Sequence, residues 1–241
     1  MLQVHSIETF GTHEGPGIRL VIFMQGCNFR CLYCHNPDTR SLKGGTKMSS
    51  EEIIELLKKQ KPYFKDTGGL TVSGGESLLQ RKALLDLFTK AKKLGFNTTL
   101  DTNGSILDDD TKKLLEVTDL VLLDVKHIDP VWHQTVTSAS NEPTLRFAKY
   151  LKEINKSMWL RYVLVPGYTN QKEFLEKWGA HFKDYKNIDR VEILPFHTYG
   201  FYKYKELGIE NPLSDCPVPT EKEIQEALTI FEKYFKSVYV R

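Results

Sequence analysis

Apolar, β-branched runs recur along the chain, and amphipathic helical patterns fill the intervals between them. The runs are IRLVIFMQ (18–25), GLTVS (69–73), FNTTLDT (96–102), DLVLLDVK (119–126), WLRYVLVP (159–166) and RVEILP (190–195). Several stay apolar over four or five consecutive positions, as strands buried on both faces do. SSEEIIELLKKQK (49–61) sets Ser49 three residues before Glu52, a capping box that opens a helix. In LLQRKALLDLFTKAKKLG (78–95), Leu84, Leu87, Phe88 and Ala91 share one face, and Gly95 supplies the stop. Further helices are predicted around 108–117, 142–155, 170–184 and 220–236, the last capped by Thr220 and Glu223. SVYV (237–240) reads as a short closing strand.

Strand followed by helix, about six times over, predicts a parallel sheet with right-handed crossovers. Six units make either an open doubly wound sheet or a partial barrel, and both gather active groups at the C-terminal ends of their strands. With 241 residues, no repeat and no low-complexity linker, the pattern predicts one domain spanning 1–241.

Composition narrows the partners. Lys and Arg number 33 against 31 Asp and Glu, a net charge of +2, which argues against a nucleic-acid or anionic-membrane surface. The lysine groups Lys58, Lys59, Lys61 and Lys90, Lys92, Lys93 have helical spacing and read as solvated faces. No stretch approaches the ~20 apolar residues of a membrane span. The first residues, MLQVHSIETFGTHEGPG, lack the basic start and apolar run of a signal peptide. The expectation is a cytoplasmic, reducing location without structural disulfides.

Three of the four cysteines lie in CNFRCLYCH (27–35). A haem-attachment reading of CLYCH needs export and leaves Cys27 without a role. A Cys31–Cys34 redox pair leaves Cys27 surplus as well. Zinc held by Cys27, Cys31, Cys34 and His35 requires adjacent residues to reach one tetrahedral ion, and no second C-x-x-C completes a ribbon. Cys216 stands far off in SDCPVP and reads as an incidental thiol. An iron–sulfur cluster remains. Complete protein ligation of a four-iron cube takes four thiolates. C-x3-C-x2-C offers three, leaving one iron open as a catalytic metal site requires.

That spacing, in a loop after the first predicted strand, resembles the radical S-adenosylmethionine (SAM) superfamily, and Tyr33 before the third cysteine matches its pattern too. In that superfamily the amino and carboxylate groups of SAM chelate the open iron. SGGES (73–77) alone reads as a strand-to-helix turn, with glycines that permit close backbone approach. Beside the cysteine loop it resembles the superfamily's GGE loop, which contacts the SAM amino group. Ser77 stands where many relatives have proline. LDTNG ends one predicted strand with Asp101 and Thr102, and LLDVK ends the next with Asp124, Val125 and Lys126. WLRYVLVPG adds Arg161, and LPFH adds His197.

As a set, GPGIR, QGC, RCLYCHN, LDTNG, DLVLLD, FAKYL, RYVLVPG and LPFH resemble the family of pyruvate formate-lyase activating enzymes, from about residue 5 onward. The resemblance implies an α/β fold, a partial (β/α)6 TIM-like barrel with parallel strands. It implies a 4Fe-4S cluster on Cys27, Cys31 and Cys34. It implies a SAM site lined by Tyr33, Cys34, His35, Gly75, Glu76, Asp124, Val125, Lys126, Arg161 and His197. Asp101, Thr102, Leu122 and Asp124 match a monovalent-cation site beside SAM. Thr12, His13 and Glu14 match a loop near the protein substrate, with Glu14 where relatives carry aspartate. The implied reaction is reductive cleavage of SAM, then hydrogen abstraction from a glycine of pyruvate formate-lyase. The implied electron donor is of flavodoxin or ferredoxin type.

Three alternatives stay open here. Activases of other glycyl radical enzymes often carry a cysteine-rich insert before the GGE loop, whereas residues 35–72 contain no cysteine. Small-molecule radical SAM enzymes use similar partial barrels. A zinc-stabilised binding module is the non-enzyme reading.

Overall fold

The computed structural model describes all 241 residues. Nine strands hydrogen-bond in the order β3-β1-β2-β4-β5-β6-β7-β8-β9, an open sheet with β3 and β9 at its ends. They are β1 (Leu2–Gly11), β2 (Arg19–Met24), β3 (Thr46–Met48), β4 (Gly69–Gly74), β5 (Asn97–Thr102), β6 (Leu120–Asp124), β7 (Met158–Leu164), β8 (Ile188–Pro195) and β9 (Val238–Val240). The six predicted apolar runs are β2 and β4 to β8, consecutive in the sheet. The chain divides into two compact units, one of Met1–Asn28 with Thr39–Leu122, the other of Phe29–Asp38 with Leu123–Arg241.

In the first unit, β2 pairs in parallel with β4, and β4 with β5. Leu20, Ile22, Leu70, Val72 and Leu100 are wholly buried, together with Leu57 of α1 (Ser50–Phe64) and Leu84, Leu87 and Phe88 of α2 (Arg81–Lys93). The capping box of α1 forms as predicted, with Ser49 and Glu52 exchanging bonds. Helix α3 (Asp109–Glu116) starts on Asp108, which accepts from the Thr111 amide. Two strands were not expected. β1 runs antiparallel to β2 and to β3, so the sheet is mixed at this edge. Its residues alternate buried and half-buried only from Leu2 to His5, and its pairing slips between Glu8 and Gly11.

In the second unit every residue of β7 is buried, and β7 pairs in parallel with β8, as β8 does with β9. Tyr162, Trp178 and Phe231 pack ring against ring at 4.9 to 5.5 Å. These rings join β7 to α6 (Lys172–Phe182) and α8 (Glu221–Glu232), whose Thr220–Glu223 capping box also forms. Helix α5 (Glu142–Glu153) matches its prediction. Helices α4 (Pro130–Thr137) and α7 (Phe201–Glu206) are additions to it. Cys216 is half-buried beside an apolar cluster that includes Val163, Phe196 and Leu213, as an incidental thiol would be. No helix is long and apolar enough to cross a membrane.

Candidate active site

The loop after β2 carries the three clustered cysteines. Gly26 takes a left-handed conformation (φ +100°), and its amide and that of Cys27 donate to the carbonyls of Thr39 and Arg40. Cys27, one residue before the end of this segment of the first unit, is half-buried.

The Gly-Gly-Glu segment is laid against the same stretch. The Gly75 amide donates to Met24 O, and the Glu76 amide to Gly26 O at 2.7 Å. A Cβ on Gly74 would lie 2.2 Å from Met24 N, and one on Gly75 2.1 Å from Gly26 O. Both glycines are therefore needed for backbone-to-backbone contact inside the protein, whatever ligand they also approach. Glu76 is buried, and its carboxylate accepts from Leu78 N (2.9 Å), Thr102 Oγ1 (2.5 Å) and Asn103 N (2.8 Å). Burial pushes its pKa up to about 7, against the pull of those three bonds. The side chain thus ties the loop to the end of β5, and what this segment offers outward is backbone.

Asp101 and Thr102 sit at the same strand end. Asp101 accepts from Ser73 Oγ at 2.6 Å through its carboxylate, and from Ser77 Oγ at 3.0 Å through its carbonyl. Asn103 donates to Asn28 Oδ1, the residue next to Cys27. Leu122 is fully buried in β6, and its apolar side chain leaves only the carbonyl to offer a cation. The substrate-loop candidates Thr12 and His13 are exposed. Glu14 caps the His13 amide, and its carbonyl accepts from Thr71 Oγ1 at 2.6 Å.

In the second unit the rest of the cysteine loop is pinned by main-chain bonds. Arg30 N donates to Thr137 O and Leu32 N to Val136 O, at the end of α4. Tyr204 of α7 donates its hydroxyl to Cys34 O at 2.9 Å, and Lys203 reaches Asn36 and Asp38. Cys31 and Cys34 stand outside any disulfide and are half-buried like Cys27. Tyr33 points inward among Val163, Val165 and Phe196. Burial first, and then the nearby Cys31 and Asp124, raise its phenol. Its hydroxyl is buried without a hydrogen-bond partner.

His35 stacks on His197 at 3.9 Å, and its Nε2 lies 3.0 Å from His197 O. Burial lowers the His35 pKa to about 4 and lowers that of His197 too, so both rings are neutral. With Nε2 committed to a carbonyl, His35 is poorly placed as a fourth zinc ligand. Asp124 and Lys126 pair at 2.6 Å, with the ammonium 5.8 Å from the Tyr33 ring centre. Val125 is buried, its amide facing Arg161 O and its carbonyl accepting from Trp178 Nε1. Arg161 donates Nε to Glu192 at 3.1 Å.

Three half-buried cysteines outside any disulfide, within eight residues, are a soft donor set suited to iron–sulfur ligation. The first unit gathers Gly75, Glu76, Asp101 and Thr102 around the approach to Cys27. The second gathers Tyr33, His35 and His197, with the Asp124–Lys126 pair beside Tyr33. Sequence reasoning missed Tyr204, Lys203 and Glu192. Only the last left a signal, a carboxylate within the apolar run RVEILP.

The radical SAM superfamily pattern matches residues 21–177, from the first strand of the site to α6. That sets the class of the protein, and with it a 4Fe-4S cluster and SAM as cofactors. The pyruvate formate-lyase-activating enzyme of Streptococcus mutans is 45% identical over 98% of this chain and 94% of its own length. The pyruvate formate-lyase 1-activating enzyme of Escherichia coli K12 is 40% identical over 96% of both. The chain belongs to the family of pyruvate formate-lyase-activating enzymes. Among solved structures, Streptococcus suis SuiB bound to S-adenosylmethionine superposes with a TM-score of 0.72 at 14% identity, over 92% of this chain and 50% of that one.

Proposed function

We propose that this protein activates pyruvate formate-lyase by generating a glycyl radical on it, through reductive cleavage of SAM and hydrogen abstraction by the 5′-deoxyadenosyl radical. The observation that carries the reading is the three-thiol loop after β2, in a chain 40–45% identical over nearly its whole length to activating enzymes of that name. When bound, the cluster supplies one electron to the SAM sulfonium and, at its open iron, the anchorage for SAM. Residues 1–241 work as a single radical SAM core domain.

Cys27, Cys31 and Cys34 hold the cluster as thiolates. The backbone at Gly75 and Glu76 meets the amino group of SAM, fixed there by the Glu76 bonds to Thr102 and Asn103. Asp124, Val125, Lys126, Arg161 and His197 orient the rest of SAM, and Tyr33 and His35 close its surroundings against water. Because the two imidazoles are neutral, they give hydrogen bonds without adding charge beside a sulfonium. Asp101, Thr102, Leu122 and Asp124 offer oxygen ligands to a monovalent cation. Thr12, His13 and Glu14, held by Thr71, face the glycine-bearing loop of the protein substrate.

The reductant is a flavodoxin- or ferredoxin-type protein, and the location is cytoplasmic. The near-neutral charge and the absence of a long apolar helix favour neither nucleic acid nor membrane as partner. A coupled assay tests the proposal. Inactive pyruvate formate-lyase, incubated anaerobically with the reduced, reconstituted protein, gains lyase activity only when SAM is present. Activation without SAM, or SAM cleavage with no gain of activity, contradicts it.

A further inference from the structure

Glu192 lies in the middle of β8, its side chain wholly buried, and three guanidinium groups converge on it. Arg161 Nε is 3.1 Å from Oε2, Arg241 Nε 2.7 Å from Oε1, and Arg190 Nη1 3.5 Å from Oε1. Arg161 and Glu192 are register partners on adjacent parallel strands, so their pairing is set by the sheet itself. Arg190 is sandwiched between the rings of Trp159 and Tyr239, 4.1 Å from each. Arg241, just past β9, is fixed by its amide to Ile193 O.

A single buried carboxylate facing three cations is an arrangement that a core does not need for packing, since apolar residues of similar volume serve as well or better. A carboxylate that binds Nε fixes the plane of a guanidinium, and so the direction of its remaining N–H groups. We infer that Glu192 is a positioning residue: it holds Arg161 in the orientation that SAM binding requires, with Arg190 and Arg241 holding Glu192 in turn. The inference rests on the reading above that Arg161 lines the SAM site. It makes the short C-terminal strand β9 part of the support for SAM, through Tyr239 against Arg190 and Arg241 on the carboxylate.

The test is a double-mutant cycle on the reconstituted holoenzyme, reading SAM affinity by calorimetry with the cluster oxidised so that no turnover occurs. Glu192→Gln is expected to raise the SAM Kd about tenfold, which is about 1.4 kcal/mol, with cluster absorbance per protein unchanged. Arg161→Met weakens SAM at least as much, and the double variant is no worse than Arg161→Met alone. Glu192→Asp, which keeps the charge, recovers most of the loss. Should Glu192→Gln fail to fold, Arg241→Gln takes its place in the same cycle, with a smaller loss that again disappears in the Arg161→Met background. If Arg161→Met weakens SAM but Glu192→Gln does not, or if the two penalties add, Glu192 is not acting through Arg161 and the inference is overturned. If Arg161→Met leaves SAM affinity unchanged, the assignment of Arg161 to the site falls first and takes this inference with it.

Discussion

Glu76 gives the most quantitative prediction, because its carboxylate is buried and accepts three hydrogen bonds from within the first unit. Glu76→Ala strands Leu78 N, Asn103 N and Thr102 Oγ1 as donors inside the first unit. A stranded buried donor costs ~1–3 kcal/mol, and water entering the vacated space recovers part of that. The net loss is therefore about 3–4 kcal/mol. At ~2–4 °C per kcal/mol for a chain of this size, the melting temperature falls by roughly 6–16 °C. Glu76→Gln keeps the shape and one acceptor oxygen, and loses about half as much at pH 7.

The pH dependence has a definite sign. Burial raises the folded pKa to about 7 from 4.5. The folded state therefore binds the proton more tightly than the unfolded chain, and this group's stability is full below pH 4.5 and lost as pH rises through 7. Between pH 5 and pH 8 the loss is roughly 2–3 kcal/mol. Glu76→Gln lacks it, so its penalty relative to the natural protein shrinks as pH rises. Denaturant midpoints of the apo protein at pH 5, 6.5 and 8 measure this directly. If Glu76→Ala were as stable as the natural protein at every pH yet bound no SAM, the carboxylate would belong to the ligand and not to the loop.

Cys31→Ala should reduce 5′-deoxyadenosine formation to background while the circular dichroism of the apo protein stays unchanged; undiminished product would dismiss the three-ligand cluster. Asp124→Ala removes the partner of Lys126, and SAM affinity should fall about tenfold, the scale of one charge-assisted bond. Iron content should hold, and a parallel loss of iron would make Asp124 structural. His127 is buried against Trp132 and Phe174 with its Nδ1 accepting from the Asp129 amide. Burial lowers its pKa to about 4 from 6.5, so its stability is present above pH 6.5 and lost as pH falls through 4. Between pH 7 and pH 5 that is roughly 2 kcal/mol. His127→Phe should flatten this part of the urea-midpoint profile, and an unchanged slope would contradict the burial argument.

What the sequence announced, it announced through burial. β2, β6 and most of β7 are continuously apolar because their side chains are covered, and the helices reveal themselves by Ser49–Glu52 and Thr220–Glu223. β1 escaped because its exposed half reads Ser6, Glu8, Thr9 and Phe10, and an edge pairing without a buried face has no period to detect. β3 and α7 are too short to carry one. Helix α4 hid behind PVWHQTVT, where His133 and Thr137 are buried but bond locally to Ala139 O, so polar letters stood at covered positions. The cysteine loop was legible because its chemistry needs particular residues at fixed spacing. The role of Glu76 as a brace was not, since a carboxylate in sequence does not say whether its partners are a ligand or three donors of its own fold.

If the proposed function holds, this chain places a radical on another protein. The direct measurement is an electron paramagnetic resonance spectrum of the anaerobically reconstituted, reduced protein mixed with SAM and purified pyruvate formate-lyase. The expected result is a glycyl-radical doublet that requires SAM and disappears when Cys31 is replaced by alanine. A reduced four-iron cluster that binds and cleaves SAM but yields no doublet on pyruvate formate-lyase would contradict it.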